Sequence, residues 1–322
     1  MPHLRRGKHS SPRPPLRPFA CALCPPRVAW SSVRGAGDAS GDAKESGRLQ
    51  ACFTFQGTRI ALVNPQRGIF KPRVLARLLS IRTVYPKSGA RVWYDDQREV
   101  HAQLQGGAGA IDYAFMGQDP DAADNRWLRE AYEDGTSLIY FLGIAPGQYQ
   151  AVLPAFVGGW DRQGLKAQVV FGEAGAAKPP ATEADRRYAL RQVRQRLHQA
   201  EFRAAVIAAY GGRCALSRLP EPRLLDAAHI VADGDEALGQ PVVPNGLPLS
   251  KIHHAAFDAH LLGIDADGII HVAEALMAQQ DGPVLEAMKG LQGSRLVPPR
   301  RAADAPDRDR LARRFELFRA EA

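Results

Sequence analysis

His254 and Asp258 stand four residues apart, His254 follows Asn245 by nine residues, and Asn245 follows His229 by sixteen. Positions four apart share one face of a helix, so His254 and Asp258 act together only if that stretch is helical. A strand-borne Asn245 with a helix directly behind it satisfies the nine-residue interval. These intervals leave little freedom in how residues 225–258 can fold.

The rest of the chain is too long for that unit alone. At 322 residues it is about twice the ~150 of a typical domain, which predicts two domains. With 45% apolar and 24% charged residues it can bury a core, and no apolar run approaches the ~18 residues of a membrane span. The cysteines Cys21, Cys24, Cys52 and Cys214 are too few and too clustered for a disulfide framework, which points to a reducing, cytoplasmic setting.

The net charge of +8 is unevenly placed: residues 1–49 hold nine Lys/Arg against three acids, a net of +6, leaving +2 for residues 50–322. Total charge is therefore weak support for nucleic-acid binding by the folded part. Seven of the 24 prolines fall in the first 26 residues, among Arg, Ser and Gly with no apolar period, so residues 1–50 are predicted to be a disordered basic Pro/Arg-rich extension. Phe19 to Cys24 is shorter than a ~7–15-residue signal-peptide core and runs into Pro25-Pro26. Cys21 and Cys24 have metal-clip spacing, but no second Cys or His pair lies close behind to complete four ligands.

Residues 55–172 read as an α+β domain. Lys71 to Ile81 carries Val74, Leu75, Leu78 and Leu79 at helical spacing, and Asp121 to Asp134 sets Leu128, Ala131 and Tyr132 on one face before Gly135. Residues 91–94, 111–115, 138–144, 149–160 and 165–171 read as strands, without regular βαβ alternation. A small, curved, barrel-like sheet follows. The words Tyr113-Ala-Phe-Met-Gly117-Gln-Asp119 and Asp124-Asn125-Arg126-Trp127 loosely resemble the barrel domains of the PUA superfamily, including the SET-and-RING-associated domains that read modified bases. That resemblance implies a base-reading role for Trp93, Tyr94, Tyr113, Asp119, Asp124 and Asn125, since an extracted base needs an aromatic face and a polar edge. The alternative is that Tyr113, Phe115, Tyr140 and Phe141 are strand core and Asp124-Asn125 caps a turn.

Residues 173–184, with Pro179-Pro180, read as a linker to a second domain over 185–322. That domain opens on a helix, Asp185 to Tyr210, free of Gly and Pro, with Tyr188, Val193, Leu197, Phe202, Val206 and Tyr210 broadly on one face and arginines on the others. Those arginines form a solvated face, with phosphate contact as the second reading.

Leu225-Asp226-Ala-Ala-His229-Ile230, Asn245-Gly246-Leu247 and His253-His254-Ala-Ala-Phe257-Asp258 together resemble the HNH family of ββα-metal (His-Me finger) nucleases, in a subgroup often linked to restriction. Phe202-Arg203, Arg213-Cys214-Ala215 and Leu262-Gly263-Ile264-Asp265 extend the resemblance over residues 197–265. It implies a hairpin carrying His229 and Asn245 and a helix carrying His254. His229 would be the general base, Asn245 its orienting residue, and His254 with Asp258 the ligands of one divalent ion, Mg²⁺ or Mn²⁺. Ala228 stands where many relatives carry a ligand, and Asp226, two residues earlier on the same strand face, is the candidate third ligand.

Relatives often clamp this fold with structural zinc, at positions that here hold Cys214, Ser217, Ser250 and His253. Two hydroxyls do not replace two thiolates, so structural zinc is expected to be absent, with Cys214 a small buried apolar residue and Leu225, Ile230, Leu247, Ile252 and Phe257 forming the core. His253, His260 and His271 read as surface or supporting residues. The whole reads as a metal-dependent restriction endonuclease acting on double-stranded DNA, modified or not, as a homodimer or by two sequential nicks. A nonspecific or repair nuclease and a non-catalytic DNA-binding module remain the alternatives.

Overall fold

A computed structural model describes residues 44–45, 52–84, 100, 102–104, 109–145, 147–280 and 282–321. The chain is mixed α+β, with a curled sheet in its N-terminal half. Cys52–Phe55 (β2) and Thr58–Ala61 (β3) form a hairpin. The main sheet runs Ile69–Phe70 (β4), Ser80–Thr83 (β5), Leu138–Ala145 (β7), Gln148–Asp161 (β8), Lys166–Phe171 (β9), Ile111–Ala114 (β6), and Lys44–Glu45 (β1) pairs with β8. Among the described strands of this sheet only β5 and β7 run parallel; the other pairs are antiparallel.

Its curl comes from β8, whose register against β9 shifts between Val157 and Gly159. A side chain at Gly158 would meet Val170 at 2.8 Å and one at Gly159 would meet Gln168 at 2.8 Å, so the glycine pair lets the bent strands lie close. The bend brings the β6 edge round toward β5, where the Tyr113 hydroxyl donates to the Arg82 carbonyl at 3.4 Å. One sheet face packs Tyr140, Leu142, Val152 and Val169 against Ala123–Asp134 (α1) and the next helix; the other packs Ile139, Phe141 and Tyr149 against the β2–β3 hairpin.

Several expectations change. Residues 71–79 form turns rather than a helix, because Leu78 enters one core while Leu75 and Leu79 enter the other and Val74 is exposed. Tyr132 of α1 is likewise exposed. Within the extension expected to lack structure, Lys44–Glu45 pair with Tyr149 and Gln148. Cys21, Cys24 and the strand expected at 91–94 lie outside the described residues.

Glu183–Ala209 (α2) begins inside the segment expected to be a linker. Thr182 caps it, accepting from the Asp185 N–H, and the Asp185 carboxylate returns to the Thr182 N–H, satisfying two N-terminal donors. Its first half joins the N-terminal core through Leu190, Val193, Leu197 and Ala200. Its last residues join a second core: Ile207 and Tyr210 pack with Leu225, Ala228, Ile230, Leu247, Leu249, Phe257 and Leu311. Ile252, expected in that core, is exposed.

Around this second core lie Leu225–His229 (β10) paired antiparallel with Gly246–Ser250 (β11), then the helix Lys251–Asp258 (α3). The hairpin of Leu262–Ile264 (β12) and Ile270–Val272 (β13) follows, with Glu274–Met277 (α4) and Pro283–Lys289 (α5). Arg308–Glu321 (α6) closes over β12, where the Phe318 ring lies on Gly263. Among the described residues no helix is long and apolar enough to cross a membrane.

Candidate active site

His229 ends β10 directly opposite Gly246, the first residue of β11. Only a glycine fits there: a Cβ would stand 2.4 Å from Val206 Cγ2 and 2.7 Å from Phe202 Cζ of α2. That close approach lays the Phe202 ring flat on the His229 imidazole, with centroids 4.1 Å apart and planes 17° apart. The His229 Nε2 atom is buried and has no hydrogen-bond partner among the described residues. Burial is the main cause holding its pKa below the ordinary imidazole value; Asp233 and Asp258 oppose the shift and His254 reinforces it. The ring is therefore neutral at pH 7 and able to accept a proton.

Asn245 is fully buried just before β11. Its Oδ1 accepts from Val231 N–H at 3.0 Å, and its Nδ2 donates to the carbonyls of Val231 and Gln240, both at 3.1 Å. With the Ile230 N–H donating to the Asn245 carbonyl at 2.9 Å, this ties down the chain immediately after His229.

Because α3 starts as β11 ends, with the Ser250 hydroxyl accepting from His253 N–H, His254 and Asp258 face the hairpin one turn apart. His254 Nε2 lies 3.3 Å from Asp258 Oδ2, and His254 Nδ1 lies 3.7 Å from Asp226 Oδ2. The Asp226 contact is the main cause that raises the His254 pKa, opposed by burial and helped by the charges of Asp258 and Asp226. The same contact, against burial and with help from Lys251 and Arg203, lowers that of Asp226.

Residues 214–265 match the family model described as HNH endonuclease. This chain carries an HNH endonuclease domain. Among solved structures it is similar to a modification dependent TagI restriction endonuclease, at 17% identity and a TM-score of 0.30, over 79% of this chain and 86% of that one. No curated protein matches the chain.

HNH nucleases work with a divalent ion, and the donors here fit one through two residues. Two ligands ~2.1 Å from an octahedral ion lie ~3 Å apart, close to the His254–Asp258 separation. Asp226, expected as a third ligand, faces His254 Nδ1, while Asp258 faces His254 Nε2. Accordingly, no three His, Cys, Asp or Glu side chains among the described residues converge on one point.

The HNH domain also uses residues that motif reading missed. Arg314 of α6 donates to the Phe257 carbonyl at 2.7 Å, lies 4.6 Å over the Phe257 ring and stands 3.9 Å from Asp258 Oδ1, bracing the end of α3. It lies beyond the matched residues in a basic run, and nothing in its spacing marks it out. Cys214 differs from the expected inert apolar residue. Its Sγ accepts from Ser250 N–H at 3.3 Å and lies 3.4 Å from His253 Nδ1. Burial would raise its pKa, but hydrogen bonds with His253 and Ser217 hold it at about 6. One thiol, one imidazole and two hydroxyls do not fit a zinc ion.

Of the N-terminal candidates among the described residues, Tyr113, Asp124 and Asn125 are packed into the fold and only Asp119 is exposed. Tyr113 is buried in the sheet core, edge-on to Tyr140. Asn125 is fully buried and spends its amide on Met116 N–H, Met116 carbonyl and Asp119 carbonyl, at 2.8, 3.1 and 2.7 Å. Asp124 is buried against Arg67 at 3.1 Å. Asn125 thus ties α1 to the loop before it, and Asp124 ties α1 to Arg67. Asp119 is exposed, its Oδ1 accepting from Asp121 N–H. Trp93 and Tyr94 lie outside the described residues.

Proposed function

We propose that the chain is a metal-dependent DNA endonuclease of the restriction type, whose N-terminal domain selects the substrate. The observation that carries this reading is the half-buried, neutral His229 with its unpartnered Nε2, beside a His254–Asp258 pair spaced for one ion. His229 takes a proton from water as the water oxygen bonds to phosphorus and the P–O3′ bond breaks. His254 and Asp258 would hold a divalent ion, Mg²⁺ or Mn²⁺, which would supply charge neutralisation at the phosphate and the departing oxygen. Asp226 keeps the His254 ring oriented, and Asn245 keeps His229 in place.

Because such a site grips mainly backbone, base selection falls to the N-terminal domain, over residues 55–172. With Tyr113, Asp124 and Asn125 committed to the fold, modified-base recognition rests on Trp93, Tyr94 and Asp119. One finger holds one base and one ion, so double-strand cleavage takes a homodimer or two nicks.

The test is cleavage with Mg²⁺ or Mn²⁺ of unmodified plasmid beside phage DNA carrying methylated, hydroxymethylated or glucosylated cytosine, with His229→Ala as control. Cutting lost in H229A supports the nuclease. Equal cutting of all substrates removes the modification reader, and salt-sensitive binding without cutting replaces the enzyme by a DNA-binding module.

A further inference from the structure

Helix α2 belongs to two cores at once. Ala200 is its last residue in the N-terminal core; Phe202, two residues on, stacks on His229, and Arg203 reaches β10. Arg203 Nη2 donates to the carbonyls of Leu225 at 2.6 Å and Pro222 at 3.2 Å, and its Nε stands 3.9 Å from Asp226 Oδ1. We infer that Phe202 and Arg203 are positioning residues for the nuclease site, and that α2 thereby makes the geometry of that site depend on the N-terminal sheet.

A helix advances ~1.5 Å per residue, so about 3 Å of rigid rod separates the Ala200 contact from the ring that sets the plane of His229. A tilt of α2 against the sheet must therefore move Phe202, and with it the imidazole it covers. Displacements near 1 Å at a reacting group cost up to ~100-fold in rate. Arg203 acts at the other end of the same strand: by holding the Leu225 carbonyl it fixes where Asp226, and through it His254, stands. Both act through a neighbour, Phe202 through the His229 ring and Arg203 through the Leu225 carbonyl.

This inference rests on the nuclease reading, and Phe202→Leu tests it beside Val206→Ala. Val206 is fully buried on the same helix face and also lies on Gly246, but it makes no ring contact with His229. F202L is expected to lower kcat ~10- to 100-fold with KM changed less than ~3-fold, whereas V206A loses comparable thermal stability and keeps kcat. The charged groups facing His229 are Asp233 from the loop after β10 and His254 and Asp258 from α3, all unchanged in F202L. The acid limb of its kcat/KM profile should therefore move up toward the ordinary imidazole value as the ring loses its cover.

Titration of the His229 ring protons by NMR reads the same shift without substrate. A wild-type chain that cuts no DNA overturns the nuclease reading, while the NMR titration still decides this one. Equal kcat in F202L and wild type, equal losses in F202L and V206A, or an unmoved His229 titration would overturn the positioning role.

Discussion

Asn245→Ala removes a side chain whose hydrogen bonds end on buried backbone. Gln240 keeps a second donor for its carbonyl, the Val242 N–H at 2.8 Å, so its loss is small. Val231 is buried, and in the variant its N–H and carbonyl both lose their Asn245 partner. An orphaned buried group costs ~1–3 kcal/mol, more for the N–H than for a carbonyl with two lone pairs, which puts the total near ~3 kcal/mol. With a urea slope of ~2–3 kcal/mol/M, the unfolding midpoint should fall by about 1 M. Cleavage should fall as well, because the freed segment is the one that follows His229. Asn245→Asp sharpens the test: its second oxygen would face two carbonyls unless it carries a proton, so its folded pKa is raised. Its stability is then highest at low pH and is lost as pH rises through that raised value. An N245A midpoint within ~0.3 M of wild type, with cleavage intact, would refute the assignment of Asn245 as the brace behind His229.

Other perturbations reach the same site from different sides. Gly246→Ala drives a methyl into Val206 and Phe202, so it should cost ~1–3 kcal/mol in equilibrium unfolding and also lower kcat. The wild-type kcat/KM profile should keep its plateau to below pH ~6.5, because burial depresses the His229 pKa and the base stays neutral until the pH falls through that lower value; an acid limb well above 6.5 would contradict this. Asp258→Ala should abolish Mn²⁺ binding measured by calorimetry, while Asp226→Asn should weaken it ~10- to 100-fold. A zinc chelator should leave the melting temperature unchanged, whereas Cys214→Ala should lower it, since the thiol accepts the Ser250 N–H at the start of α3.

How much of this was legible in sequence varied with distance along the chain. His229, Asn245, His254 and Asp258 could be picked out because their relationships are local: adjacent strands and one turn of helix convert spacing directly into proximity. Asp226 was legible as a residue near the site but not in its position, because a strand alternation cannot say which imidazole nitrogen a carboxylate faces. Arg314 and the Arg203 contacts were not legible, since both reach their partners from other parts of the fold. In the N-terminal half, polar and aromatic residue types suggested base reading, and only burial separated Tyr113, Asp124 and Asn125, which are packed into the fold, from exposed Asp119. Residues 71–79 misread as helix because their apolar spacing also serves a chain passing between two cores.

By itself, then, the amino-acid sequence determined the chemistry available: an imidazole, a histidine–carboxylate pair at helical spacing, an amide between them, and no thiol set for zinc. Tertiary structure decided how that chemistry is held. A 27-residue helix is stiff enough to be built into two cores, so the contact that shapes His229 comes from an element whose other half lies under the N-terminal sheet. Linear spacing carries no record of such a contact, because it arises from the packing of surfaces that the chain brings together only once it has folded.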